Sequence, residues 1–282
     1  MNIAIKICCV LLSMLFTINM SHAQEKEITQ NSKNAEEYLN RGNAKNKLED
    51  YRGAIQDYNK AIELNPNYVY AYYNRGTVKS HLGNNQGAVD DFSKAIDLNS
   101  KYTEAYYNRG VAKSDLGDNP GAIADYTKAI ELDSMYTKAY YNRGVAKLDL
   151  RDYQGAISDY TKTLELNPKH TSAYNNRGNA KSFLEDYQGA LFDFIKAIEL
   201  SPNDADSYNN RGNALRNLGD MRGAIIDYNK AIELNPKHVK AYLSRGIVKL
   251  VLSDKEGACQ DWSKAGEFGL DKAYELMKDY CK

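Results

Sequence analysis

Seven aspartates, from Asp57 through Asp125 and Asp193 to Asp261, recur every 34 residues, and seven arginines, Arg41 to Arg245, recur 16 residues ahead of them. Carboxylates could serve acid–base chemistry, but one per interval makes a ladder and not the facing pair that proton transfer needs. Lys60 and its equivalents to Lys264 follow three residues after each aspartate, a spacing that allows an exposed ion pair on a helix. The arginines could also reach these aspartates from a neighbouring helix. His22, His81, His170 and His238, with Cys8, Cys9, Cys259 and Cys281, make no zinc-ligand spacing. The sequence shows no nucleophile with a base and no phosphate loop, so neither an enzyme nor a bound cofactor is expected.

Asparagine forms a second series: Asn40, Asn74, Asn108, Asn142, Asn176 and Asn210, broken by Ser244. A carboxamide carries both donor and acceptor, so each can pair with both groups of an extended peptide unit. Beside this row stand Tyr73, Tyr107 and Tyr141, then Asn175 and Asn209, with Asn179 and Asn213 four residues beyond the last two. These thirteen side chains are the candidate binding surface. Its tyrosine end keeps a glycan platform in play, whereas its mixed aromatic and amide character favours a peptide.

The elements that carry these residues follow from the period. Arg-Gly occurs at 41–42, 75–76 and onward to 245–246 at a constant spacing of 34, which divides 35–272 into seven copies: 35–68, 69–102, 103–136, 137–170, 171–204, 205–238 and 239–272. Within a copy, Tyr holds position 4, Gly 8, Leu 14, Ala 20 and an aromatic residue 24 (Tyr58 to Trp262). Positions 4, 7, 8 and 11 mark one face of a first helix, and 20, 24 and 27 one face of a second. Asp50, Asn84 and Asp118 between them are expected N-caps. A helical glycine costs about 1 kcal/mol relative to alanine, so its repetition calls for a close contact, expected between Gly42 and Ala54 and at equivalent positions. Helices of this length are marginal alone, so neighbouring copies must bury one another in a single α-solenoid.

Lys+Arg and Asp+Glu both number 37, and this balance argues against a nucleic-acid partner. Residues 1–23 read as a signal peptide: Lys6 precedes a mostly apolar run over 7–20, and Ser21-His22-Ala23 offers a small-residue cleavage site. The mature protein is then exported, periplasmic or secreted, with no stable membrane insertion. Residues 24–34 are polar and aperiodic and read as a flexible lead-in.

This 34-residue pattern, with Tyr at 4, Gly at 8, Ala at 20, an aromatic at 24, Ala at 27 and Pro at 32, resembles the tetratricopeptide repeat. Ser100 and Ser134 depart from it at the proline and Thr163 at the second alanine. The resemblance implies an all-α, right-handed superhelix whose first helices line a concave surface, and a non-catalytic scaffold that binds a peptide segment of a protein partner. Some members of the family grip a C-terminal carboxylate with lysine, asparagine and arginine. Asn179, Asn210 and Lys240 match that pattern here, but Asn175 and Ser244 replace two of three cations, so no such clamp is expected. The asparagine row is similar to the ladder in the tetratricopeptide domain of the sugar transferase that modifies serine and threonine, which holds substrate main chain. A ladder kept only for ligand would leave stability unchanged when Asn108, Asn142 and Asn176 become alanine. The tail resembles the closing segment of exported bacterial members, with 273–282 as a capping helix. Cys259 and Cys281 fall at comparable distances from the turn before that helix, which points to a disulfide.

Overall fold

A computed structural model describes residues 26–27 and 29–281; the signal-peptide reading of 1–23 lies outside them. Among the described residues the fold is all-α: fifteen helices and no strand. It is a solenoid of helical repeats, whose helices fall into two compact units, one through Leu132 and one from Asp133.

The first unit holds α1 (29–47), α2 (Tyr51–Leu64), α3 (Val69–His81), α4 (Asn85–Leu98), α5 (Thr103–Asp115) and α6 (Asn119–Leu132). The second holds α7 (Thr137–Asp149), α8 (Tyr153–Leu166), α9 (Thr171–Phe183), α10 (Tyr187–Leu200), α11 (Ala205–Asn217), α12 (Met221–Leu234), α13 (Val239–Val251), α14 (Lys255–Glu267) and α15 (Asp271–Tyr280). In each unit consecutive helices pair, and each pair's second helix also packs on the next first helix. First helices meet their own kind, α3 with α5 in one unit and α9 with α11 in the other. The expected flexible lead-in is corrected in part: residues 26–27 and 29–34 are helical, and Gln30 Nε2 donates to Asn34 Oδ1 across one turn at 2.9 Å. No proline or glycine interrupts 29–41, so polarity alone does not stop the helix there.

Local chemistry sets the helix ends. Asp50, Asn84 and Asp118 accept from the backbone N–H three residues on, as expected. The turn before each cap needs one residue with positive φ; Gly83, Gly117 and Gly219 meet this without strain, while Glu49, Arg151, Glu185 and Ser253 adopt it with a side chain.

The recurrent helical glycine is explained by ring packing. A Cβ on Gly42 would lie 2.6 Å from Tyr58 Cε1, and one on Gly178 would lie 2.7 Å from Phe194 Cε1. The contact therefore runs to the aromatic at position 24 and not, as expected, to Ala54, because the buried ring spans the gap between the helices. Tyr58, Phe92, Tyr126, Tyr160, Phe194, Tyr228 and Trp262 are all essentially inaccessible. Burial pushes the Tyr58 and Tyr228 hydroxyls up to about 12.

The aspartate ladder is a second structural device. Asp193 is fully buried; it accepts from Arg177 Nε at 3.0 Å and Nη2 at 2.6 Å, and from Lys181 Nζ at 2.8 Å. Arg177 also rests over the Tyr174 ring, 5.6 Å from its centroid. The third arm of the guanidinium reaches the preceding copy: Arg75 Nη1 donates to Asn59, Arg109 to Ser93, Arg177 to Thr161 and Arg245 to Asn229. Hydrogen bonding to Arg41 holds the Asp57 carboxyl below its ordinary value. The lysine of the expected i,i+3 pair turns the other way: Lys60, Lys128 and Lys162 bond Glu63, Glu131 and Glu165 instead. The aspartates are already buried and held from the first helix.

The end of the second unit is closed by α15, which packs on α14, and Cys259 and Cys281 are joined by a disulfide with their Cα atoms 5.8 Å apart. No described helix is long and apolar enough to cross a membrane.

Candidate functional site

The candidate residues lie on first helices, and their partners sort them. In the first unit Asn74 Nδ2 donates to Asn43 Oδ1 (2.8 Å) and Asn108 Nδ2 to Tyr73 OH (2.8 Å). In the second, Asn176 Nδ2 donates to Tyr141 OH at 3.2 Å. The row therefore bonds neighbouring first helices to one another, with Asn40 exposed at its start and Asn142 half-buried. This corrects the expectation that the row serves a ligand alone: one amide hydrogen of each of these asparagines is committed to the fold.

The tyrosine faces are also committed. Tyr73 packs on Tyr102 (centroids 4.7 Å) and Phe92 (5.8 Å), and Tyr107 on Tyr126 (5.8 Å). Tyr141 stacks on His170 at 4.5 Å. A sugar platform needs an open ring face, and these faces meet other rings.

In the second unit the wall changes. Asn175 and Asn209 replace the ring at position 5, and two adjoining cavities of about 490 and 470 Å³ open between α7, α9, α11 and α13. Asn179, Asn210 and Lys240 line both, and the first also meets Asn209, Asn213 and Phe183. Asn175 and Asn176 join Asp204 and Asp206 in the second. Asn213 is held by Tyr228 OH (2.9 Å); the matching ring for Asn179 is Phe194, which has no hydroxyl to give. Asn179 accordingly makes no side-chain hydrogen bond to a described residue. Asn40, Asn74, Asn108, Tyr73 and Tyr107 belong to the other unit.

Two contributors escaped the sequence reading, Asp204 and Ser207. Asn175 Nδ2 donates to Asp204 Oδ2 (3.0 Å) and to Ser207 Oγ (2.6 Å), and Ser207 donates to Asp204 in turn. The available signal was position 34, which is Tyr68, Tyr102, Tyr136, His170 and His238 in five copies, Lys272 in the last, and Asp only at 204. The two histidines act locally: His170 Nδ1 accepts from Ala173 N–H (3.3 Å) and His238 Nδ1 from Ala241 N–H (3.1 Å), capping α9 and α13. Burial holds the His170 imidazole below its ordinary value. Among the described residues, no group of three or more His, Cys, Asp or Glu could hold a metal ion.

Two family models match the chain: the tetratricopeptide repeat at 137–170, 171–204 and 205–238, and the TPR repeat at 42–80, 81–117 and 112–150. Together they cover most of its length. The chain belongs to the tetratricopeptide repeat (TPR) family. Solved structures resemble it over long stretches. The MamA protein is 28% identical, with a TM-score of 0.58 over 61% of this chain and 94% of its own. YrrB, described as a TPR protein with an unusual peptide-binding site, is 27% identical, with a TM-score of 0.57 over 67% of this chain and 99% of its own. A TPR protein from Parabacteroides merdae, 24% identical, shares the fold at a TM-score of 0.65 over 89% of this chain and all of its own. No curated protein matches the chain.

Proposed function

We propose that this TPR protein is a non-catalytic interaction scaffold that holds an extended peptide segment of a protein partner on its first-helix face, in the cavities of the second unit. The observation that carries this reading is the opening between α9, α11 and α13, where Asn175 and Asn209 stand in place of ring-filling tyrosines and Asn179 lacks an internal partner. Carboxamides of this kind suit the alternating donors and acceptors of a main chain. The likeness to YrrB, whose own description includes a peptide-binding site, supports the same reading. We further propose export to the periplasm or the medium, which the Cys259–Cys281 bond favours because such bonds persist in oxidising compartments.

Affinity capture with residues 24–282 from the envelope and secreted fractions of the native cell, followed by peptide arrays of the captured partners, tests both parts. A linear segment should bind, and Asn179→Ala combined with Asn210→Ala should weaken it in a variant that still folds. Binding of soluble cell-wall fragments at this face, with no peptide binding, would overturn the peptide reading.

A further inference from the structure

The cavity of the second unit is unbalanced in hydrogen-bonding terms. Its amide hydrogens turn inward: Asn175 gives both to Asp204 and Ser207, Asn176 gives one to Tyr141, and Asn209 gives one to Asn210 Oδ1 at 3.3 Å. What remains is oxygen. Oδ1 of Asn175 and Oδ1 of Asn209 are buried with no partner among the described residues, and Asn209 as a whole is only 2% exposed. Rotating the Asn175 amide cannot mend this, since it would set Oδ1 against the Asp204 carboxylate. A buried acceptor without a donor is unfavourable, and a ligand that supplies the donor recovers that loss.

Two carboxylates line the cavity of about 470 Å³ with Asn175, while Asn209 and Phe183 line the adjoining one of about 490 Å³. Asp204 caps the network just described, and Asp206, largely exposed, meets His238 Nε2 at 3.2 Å. Lys240 brings one positive charge to the rim, and its ammonium makes no ion pair with a described residue. On the apolar side Phe183 is 62% exposed, with Tyr153 stacked on it at 4.8 Å and 12°.

Resting on the reading of this cavity as a peptide site, we propose that it selects an arginine side chain of the bound segment. A guanidinium carries five donors and no acceptor, which suits a wall of orphaned oxygens and two carboxylates. Its flat face stacks on an aromatic ring, and its aliphatic stem can lie along Leu148 and Leu243 at the apolar end. A carboxylate ligand would bring only further acceptors. A glutamine would bring an acceptor with its donors, and a lysine ammonium lacks the planar fork that can reach two separated oxygens together.

The test uses residues 24–282 and four probes: the N-acetyl, N-methylamide derivatives of arginine, lysine, glutamine and glutamate, titrated by calorimetry and by amide chemical shift. The arginine compound should bind about tenfold more tightly than the glutamine or glutamate compound, as charge-assisted bonds exceed neutral ones. Asn209→Leu should abolish that preference. Because Asn209 is buried and its variant could misfold, the exposed Phe183→Ser and Asp206→Asn variants should each lower arginine affinity severalfold, while Asn74→Ala in the first unit leaves it unchanged. Equal affinity for all four probes would overturn the proposal, as would a crystal soaked in the arginine compound that shows only ordered water on Asn175 and Asn209. A random peptide display selection separates the two readings. Binders that map to the cavity without enrichment of arginine refute the arginine assignment and keep the peptide site. An absence of binders removes both.

Discussion

The first-helix faces of the two units are built on the same frame and finished differently. In the first unit Tyr73 fills position 5 and packs on Tyr102 and Phe92, while Tyr70, 58% exposed, adds a further edge contact to Tyr102. In the second, Tyr141 keeps a ring at that position on α7, but Asn175 and Asn209 take it on α9 and α11, and the cavities open there. Beneath both faces the glycine, the buried ring at position 24 and the Arg–Asp pair are the same. The difference teaches that this repeat separates its labours: one set of positions builds the frame in every copy, and positions 5 and 34 are where copies can diverge without disturbing it.

The largest expected effects test whether the frame is truly common. Asp125→Asn in the first unit and Asp193→Asn in the second should each cost about 3 kcal/mol in urea denaturation, since each removes the buried carboxylate that holds a partly buried arginine and lysine. Asp227→Asn should cost about 2 kcal/mol, because Leu215 stands where other copies carry that lysine and Arg211 is the partner that remains. A loss at Asp125 less than half that at Asp193 would break the comparison.

Next come Gly110→Ala and Gly178→Ala, each forcing a methyl to within 2.7 Å of a buried ring, Tyr126 or Phe194. Each should cost about 1–3 kcal/mol, with the two units again alike. Smaller losses, about 1 kcal/mol each by thermal melting, are expected for Asn108→Ala and Asn176→Ala, which remove bonds to Tyr73 and Tyr141. Unchanged stability would restore the view of these asparagines as ligand groups only.

The smallest effect should divide the units. His170 caps α9 through an unprotonated Nδ1, and burial lowers its folded pKa from 6.5. The unfolded chain therefore takes up the proton first, so the contribution of this group is full above pH 6.5 and is lost as pH falls through the lowered folded value. The first unit has Tyr68 and Tyr102 at this position and no such group. Amide exchange of α9 followed downward from neutral pH should show loosening worth about 0.5–1 kcal/mol, abolished in His170→Asn, which caps without titrating.

Much of the fold was legible because the period repeats. One Arg-Gly every 34 residues placed the helices and their caps, and the Arg–Asp pairing was foreseen as one of two options. Partners within the frame were less legible. Spacing alone gave Gly42 to Ala54 and Asp57 to Lys60, but side-chain reach decided otherwise: a ring extends across to the glycine, and Lys60 points away to Glu63. The cavity was legible in its carboxamides, which recur, and less so in Asp204 and Ser207, which show only as one copy's departures from the usual Tyr or His of position 34 and the usual Ala of position 3.

One further consequence follows from the third arm of the arginines. By bonding position 25 of the preceding copy, Arg75, Arg109, Arg177 and Arg245 act as couplings between neighbours, so opening one copy strains the next. At the junction of α10 with α11 position 25 is Ile195, which offers Arg211 no acceptor, and Leu215 replaces the lysine as well. The stack lacks that coupling at this point, beside the cavity. A molecule seated across α9, α11 and α13 would bridge that joint and supply the missing coupling, so occupancy and cooperative unfolding would be tied together.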